Sequence, residues 1–449
     1  MDISVAALTS IAVLVIVVVI SCINGSLNVG ILAIAFAIIV AGIFSNLSGA
    51  AVMSLFPTSL FMILVGVTFM FGIAQTNGTM EKVTAYCVRI IKGKNVLIPF
   101  VVYVITSVIT TIGPGNIAAT ALLAPVLMAI ASRVKMPALL MTLLIVGAAN
   151  GSAFSPFAPT GIISNGFIAK MAGEVGIAAS SLNGVAWKIH FNSIVAQGFV
   201  NIGGFFLLGG WAWIMNQRGK RLDIDQLAPK PEPFNKQQWI TIGAIILLIL
   251  LVVVPGLPFV KELSPRPFLN MVSNVGSVAF ILSGFLLLFN AGDSKKAIQT
   301  MPWSVIMMVC GMFVLIEVMD KSGGLNALVQ IIGSVSNPTT VNGWLGFITG
   351  VISAYSSSSG VVMPMFLPMV PGLIEKIGGG NPIALISSID IGAHLVDTSP
   401  LSTLGALCIA CAGENEDKIV LFRKLLIWGL SMSVIGGIVC YFFFGILGL

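Results

Sequence analysis

From residue 3 to residue 21 this chain carries no charged side chain, and neither do residues 27–44, 55–76, 238–255 or 268–290. A helix needs about 20 apolar residues to cross the hydrocarbon of a bilayer, so each stretch is about long enough to span. Apolar segments at 187–215, 301–319 and 420–446 complete a set of plain spans. Charged residues make up only 8% of the 449, too few to cover a water-soluble globule of this size with polar groups. The expected class is all-α and integral to a membrane, because a helix satisfies its own backbone polar groups within hydrocarbon.

The formal net charge of +6 fits a membrane protein that keeps Lys and Arg on its inner side. No basic patch interleaved with aromatics appears, so nucleic acid is not an expected partner. The cysteines (Cys22, Cys87, Cys310, Cys408, Cys411 and Cys440) lie in or beside apolar segments. Cys408 and Cys411 form a C-x-x-C inside a helical run with no second pair, and they read as small helix-facing residues rather than a metal or redox site. Asp2 and the lack of a basic leader before Ile11–Ile20 make the first apolar run a retained helix rather than a cleaved signal. No nucleophile–base pair, phosphate loop or metal-ligand spacing is present, so catalysis is not expected.

Two regions, 95–172 and 340–412, are apolar but interrupted by Gly, Pro, Asn and Ser, and they recur in a pattern. Phe56-Pro57-Thr58-Ser59 through Gly66 to Asn77-Gly78 aligns with Met301-Pro302-Trp303-Ser304 through Gly311 to Ser322-Gly323. Gly113-Pro114-Gly115-Asn116 followed by Pro125 aligns with Ser356–Ser359 followed by Pro368. Gly151 through Ala158-Pro159 aligns with Gly392 through Ser399-Pro400. The offsets run from 241 to 245, so the chain reads as two copies of one unit, 1–215 and 238–449, joined by a linker at 216–237.

Each unit reads as two plain spans, a third with an amphipathic tail, a helical hairpin, a broken span and a last plain span. The polar hairpin tips are too wet to face lipid, so the hairpins are expected to be re-entrant. That leaves five crossings, an odd number, so the second copy must be inverted. Within each copy, residues 1–92 and 238–334 hold the plain spans before the hairpin, and 95–215 and 340–449 hold the hairpin, the broken span and the last span. With the N-terminus outside, 16 of the 22 Lys and Arg fall inside, the linker is inside, and both termini are outside.

The chemistry is expected at the tips and breaks. Tip one is Thr110–Asn116 and tip two is Ser353–Gly360; the breaks are Asn150–Pro156 and His394–Pro400. A helix restarting after a tip or break presents unpaired N–H groups and a positive dipole end, which bind an anion without a Lys or Arg. Unwound carbonyls and side-chain oxygens suit Na⁺. The candidate anion-binding residues are Gly115, Asn116, Ile117, Ser155, Pro156, Ser358, Ser359, Gly360, His394, Thr398, Ser399 and Pro400. Candidate Na⁺ ligands are Gly113, Asn116, Asn150, Gly151, Ser356, Ser359 and Asp397. Asp397 reads either as a cation ligand or as the N-cap of a helix starting near Leu401. Asp390 is placed to pair with His394 four residues on. His394 reads as an anion contact, a titrating group or a structural residue. Glu317 and His190 lie near span ends.

Gly115-Asn116-Ile117-Ala118-Ala119-Thr120 ending at Pro125, and Ser358-Ser359-Gly360 ending at Pro368, sit where the Ser-Asn-Thr signatures sit in the divalent anion–sodium symporters. The chain resembles that family, and within it the bacterial malonate/dicarboxylate carriers, over nearly its whole length. Gly115 and Ile117 replace two of the hydroxyls, and tip two lacks the Asn. The resemblance implies a homodimer in the bacterial cytoplasmic membrane, an elevator-type motion of transport elements 95–215 and 340–449 against scaffold helices 1–92 and 238–334, Na⁺ as the co-transported ion and a small organic dianion as substrate, with Asn116 a ligand to both. A sodium/proton antiporter or an inorganic-anion transporter of the same superfamily is the alternative.

Overall fold

In the computed structural model the described residues are 4–449 except 24–26, 45–46, 90–93, 222–229, 255–266, 268–271, 273 and 415. Part of the expected linker, and Lys92, Lys261 and Arg266 of the charge count, lie outside them. Among the described residues the structure is helical, and the helices fall into two matching series of ten. The first is α1 (Val5–Ile23), α2 (Val29–Phe44), α3 (Gly49–Met53), α4 (Thr58–Thr76), α5 (Thr79–Val88), α6 (Ile98–Ile112), α7 (Gly115–Arg133), α8 (Ala138–Gly151), α9 (Pro159–Met171) and α10 (Ala179–Asn216). The second is α11 (Lys236–Val253), α12 (Val275–Leu288), α13 (Ser294–Thr300), α14 (Trp303–Lys321) and α15 (Gly324–Ser334). It continues with α16 (Val341–Ser353), α17 (Ser358–Ile377), α18 (Pro382–Leu395), α19 (Thr403–Ala410) and α20 (Lys418–Ile446). Element n of the first series corresponds to element n + 10 of the second.

The landmarks of the repeat set these boundaries. Pro57 and Pro302 stand just before α4 and α14 with the same φ of −78°, where a missing N–H costs nothing. Gly78 and Gly323 break the run before α5 and α15 at φ 76° and 81°, a left-handed conformation that favours glycine. The short α3 and α13, which precede these prolines, carry no hydropathy signal of their own.

The two series are inverted. Asn77, at the end of α4, donates from Nδ2 to the Ala291 carbonyl just before α13 and to Thr241 Oγ1 of α11, each at 2.8 Å. The end of α4 therefore meets the approach to α14, its own counterpart, and the two run in opposite directions. The linker and the start of α11 lie at the same face: Gln238 Nε2 of α11 donates to the Asn77 carbonyl at 2.9 Å, and Lys82 Nζ to the Pro233 carbonyl of the linker at 3.1 Å. The α6–α7 hairpin starts and finishes at that face too. Gln217, at the end of α10, accepts from Asn95 Nδ2 before α6 (2.9 Å) and donates to the Val134 carbonyl after α7 (3.1 Å). The hairpin is re-entrant, as the wet tip requires.

Packing crosses between the series. Helix α2 crosses α14 where Gly30 meets Gly311, and α12 crosses α4 where Gly276 meets Gly66; a Cβ at Gly30 would lie 2.1 Å from the Met307 carbonyl oxygen, and one at Gly276 2.6 Å from Ile63 Cα. Small residues at such crossings let backbones touch where lipid supplies no hydrophobic drive. The last five elements of the two series interlock as well, with α10 against α18, α7 against α19 and α8 against α20.

Candidate functional site

At tip one, α6 ends at Ile112 and the chain turns through Gly113 at φ 147°. The turn lies against the ring of Phe71 on α4, so closely that a Cβ on Gly113 would sit 2.0 Å from it. Helix α7 starts at once at Gly115, and Pro114 before it supplies no side-chain cap. Asn116 is turned inward rather than extended into open space. Its Nδ2 donates to Asn150 Oδ1 at 2.9 Å, and its Oδ1 accepts from the Ile117 amide at 3.0 Å. Asn150 then donates from Nδ2 to the His394 carbonyl at 2.9 Å. One tip and both broken spans are thereby tied by two amide side chains.

Tip two is richer in hydroxyls. Helix α16 ends at Ser353, and α17 opens on a wide turn over Ser358–Val362, with the Ser357 side chain accepting from the Gly360 amide at 3.0 Å. Ser358 Oγ donates to Asp397 Oδ1 at 2.9 Å and lies 2.8 Å from Ser353 Oγ. Ser359 Oγ lies 3.1 Å from His394 Nε2 and 3.4 Å from Thr160 Oγ1 at the start of α9. Gly360 packs against Met308 of α14, so tip two also rests a glycine on a helix of the α4/α14 pair, though not at the position that corresponds to Gly113.

Both tips, the start of α9 and the residues around Asp397 line one cavity of about 540 Å³, within the range of small-molecule sites. Its other wall is α4 and α14, through Thr68, Phe71, Val305 and Met308. It extends toward the linker face, where Gln75, Met80, Thr300 and Pro302 line it. Asp397 is the one carboxylate among the described residues on this wall. The lining includes Gly113, Gly115, Asn116, Ile117, Ser356, Ser358, Ser359 and Asp397 of the sequence candidates.

Other candidates stand behind the wall. Ser155 Oγ donates to the Thr111 carbonyl at 2.7 Å and so closes the end of α6; Pro156 is buried beside it. Gly151 packs on Gln197 of α10, and Ser399 on Gly405 and Gly429. Thr398, Pro400 and Gly360 are not on the lining, and neither are Asn150 and His394. Asp397 does not cap the helix after the break: α19 starts at Thr403 with Ser402 at its N-cap, while the Asp397 carboxylate faces Ser358. Nor does the Asp390 carboxylate pair with His394. Its Oδ2 accepts from Ser164 on α9 at 2.6 Å, and His394 Nδ1 lies 2.8 Å from the Asp390 backbone carbonyl instead. Helical spacing put the two side chains on one face, but the closer carbonyl takes the imidazole proton. Thr160 and Ser402 line the cavity without having been singled out; their place in the first turn after each break was the signal available.

Residues 4–153 match the family model of the dicarboxylate carrier protein MatC N-terminus. The N-terminal third of the chain is MatC-like. The MatC-like segment takes in tip one and Asn150 and stops inside the first break; tip two and Asp397 lie beyond it. The whole fold is similar to that of the YdaH transporter of Alcanivorax borkumensis, at 16% identity and a TM-score of 0.56, covering 88% of this chain and 87% of that one. Both matches are to transporters rather than enzymes, and with the helices long and apolar enough to span the fold is that of a multi-pass membrane protein.

Proposed function

We propose that this protein is a Na⁺-coupled carrier of small dicarboxylate dianions such as malonate or succinate, working as a homodimer in a bacterial cytoplasmic membrane with both termini outside. The observation that carries the reading is the meeting of both re-entrant tips at one cavity, where amides at the start of α7 stand opposite the Asp397 carboxylate and its serine hydroxyls. Amides at a helix start favour an anion; a carboxylate with neutral oxygens favours a small hard cation. The MatC-like first repeat supports a dicarboxylate as the anion.

The same geometry supports an elevator-type motion. Tips and breaks of the two repeats are stitched together by Asn116–Asn150–His394, Ser164–Asp390 and Asn192–Ser387 hydrogen bonds, so elements 95–215 and 340–449 form one body. That body meets the scaffold of 1–92 and 238–334 at the cavity through Gly113 on Phe71 and Gly360 on Met308. In this topology the linker face is cytoplasmic, and the cavity faces inward.

Uptake of radiolabelled malonate or succinate into proteoliposomes tests the reading: an inward Na⁺ gradient drives accumulation, and K⁺ in its place does not. Equal uptake in the two salts rejects it. One observation favours a second reading, proton coupling: Asp390 is fully buried and its Oδ1 has no hydrogen-bond partner. In that case a pH gradient drives uptake without Na⁺, and Asp390→Asn abolishes the response.

A further inference from the structure

His394 is sealed from solvent and from the cavity, yet it touches a residue of the cavity wall. Its Nδ1 lies 2.8 Å from the Asp390 carbonyl oxygen, which can only accept, so Nδ1 carries the proton. In the neutral imidazole the other nitrogen, Nε2, is then an acceptor. Ser359 Oγ, 3.1 Å from Nε2, must donate to it. A hydroxyl has one proton, so the contact with Thr160 at 3.4 Å is a bond that Ser359 accepts. The neighbouring Ser358 is committed in the same way: its proton goes to Asp397 and it accepts from Ser353. The Ser359 proton is therefore turned away from the cavity, and the Ser358 proton is held by Asp397 on the cavity wall.

We propose that His394 is a positioning residue that holds the Ser359 hydroxyl proton inward, so that Ser359 presents only lone pairs and, with Asp397, ligates the small hard cation rather than the dicarboxylate. To donate to a bound carboxylate instead, Ser359 would strand the buried Nε2 without a partner, and a buried unpaired acceptor is costly. A cation asks for no such change. The bulky face of the site is consistent: Phe154 stands edge-on to the imidazole with ring centres 4.9 Å apart, which fixes the ring plane and with it the direction of Nε2.

The inference rests on the Na⁺-coupled reading, and the experiment separates the two. Uptake by proteoliposomes is measured across Na⁺ concentrations, and across malonate or succinate concentrations at saturating Na⁺. Ser359→Ala removes the oxygen; His394→Phe keeps a ring against Phe154 and removes the acceptor. Each is expected to raise the Na⁺ concentration for half-maximal uptake by about tenfold, the worth of one such contact. The substrate KM at saturating Na⁺ stays within about twofold. Because His394 acts only through Ser359, His394→Phe adds nothing in the Ser359→Ala background. A rise in substrate KM with Na⁺ activation unchanged overturns the proposal and leaves Na⁺ coupling standing, as does an additive double variant. Should the buried His394→Phe fail to fold, Ser359→Ala alone still decides whether this oxygen serves the cation. Parental uptake that ignores Na⁺ rejects the coupling and the proposal with it.

Discussion

Tip one and tip two turn the chain at corresponding places, each beside a proline-bearing helix and each resting a glycine on the scaffold, yet their hydrogen-bonding polarity is opposite. At tip one the polar side chain, Asn116, is spent on Asn150 and its own neighbour, and the free groups are amides at the start of α7. At tip two the free groups are the oxygens of Ser358 and Ser359 beside Asp397. Inverted repetition thus supplies a common backbone scaffold, while a few side chains give the tips opposite hydrogen-bonding polarity, which under the proposed function assigns one tip to each sign of charge. What the comparison teaches is that the pseudo-symmetry of such a site belongs to its helix ends and need not extend to its ligands.

The largest expected effect comes from removing the charge at tip two. Asp397→Asn keeps the size of the side chain and an acceptor for Ser358, but takes away the carboxylate that faces the cavity. Na⁺-driven uptake should fall about 100-fold, the equivalent of a lost charge-assisted ligand, while detergent-solubilised protein keeps its melting temperature to within a few degrees. Retained Na⁺ dependence in this variant would remove tip two from the cation site.

The scaffold contacts give the next effect and separate the tips again. A methyl at Gly113 would meet the Phe71 ring at 2.0 Å on a backbone at φ 147°, so strain and clash add. Gly113→Ala is expected to destabilise the protein by about 2–3 kcal/mol. At Gly360 the obstacles are the flexible end of Met308 and the Ser357 hydroxyl at 2.9 Å, side-chain ends that can move aside, and Gly360→Ala should cost less than Gly113→Ala, about 1 kcal/mol. Thermal unfolding of the two variants checks the ranking. Equal losses would mean that the tips meet the scaffold with equal rigidity.

How far the sequence reached follows from what its signals encode. Gly, Pro and Asn punctuate backbone, and backbone was legible: the repeat, both hairpins and both breaks lie where Gly113-Pro114-Gly115, Ser356–Ser359, Gly151 and Pro400 place them. Inward or outward facing at a break was not legible. Ser155 and Ser399 look like ligands in sequence because they are polar and sit at a break, but unwound backbone leaves carbonyls and amides that nearby hydroxyls must satisfy first. Ser155 goes to the Thr111 carbonyl for that reason. The fate of His394 was hidden by the same rule, since a carbonyl one turn back outcompetes a carboxylate for its proton.

The smallest effect concerns the far end of the contact between the two bodies. Lys170, at the end of α9, pairs with Glu317 of α14 and lies 4.8 Å from the centre of the Phe313 ring, on which Phe167 also stacks at 5.2 Å. Glu317 is fourteen residues beyond Trp303, about 21 Å along the helix from the linker face. The cavity lies toward the linker face and this contact toward the other, so under the proposed elevator motion a body sliding along α14 must break the contact to expose the site on the opposite side. The Lys170 side chain is 50% exposed, and a pair this wet contributes about 0–1 kcal/mol. Lys170→Met, which keeps the stem on Phe313, should therefore shift the balance between end states by at most about fivefold. The expected readout is a two- to fivefold change in maximal uptake with the substrate KM unchanged, matched by Glu317→Gln and not deepened in the double variant. A change confined to KM would place this pair in the binding site rather than between the moving parts.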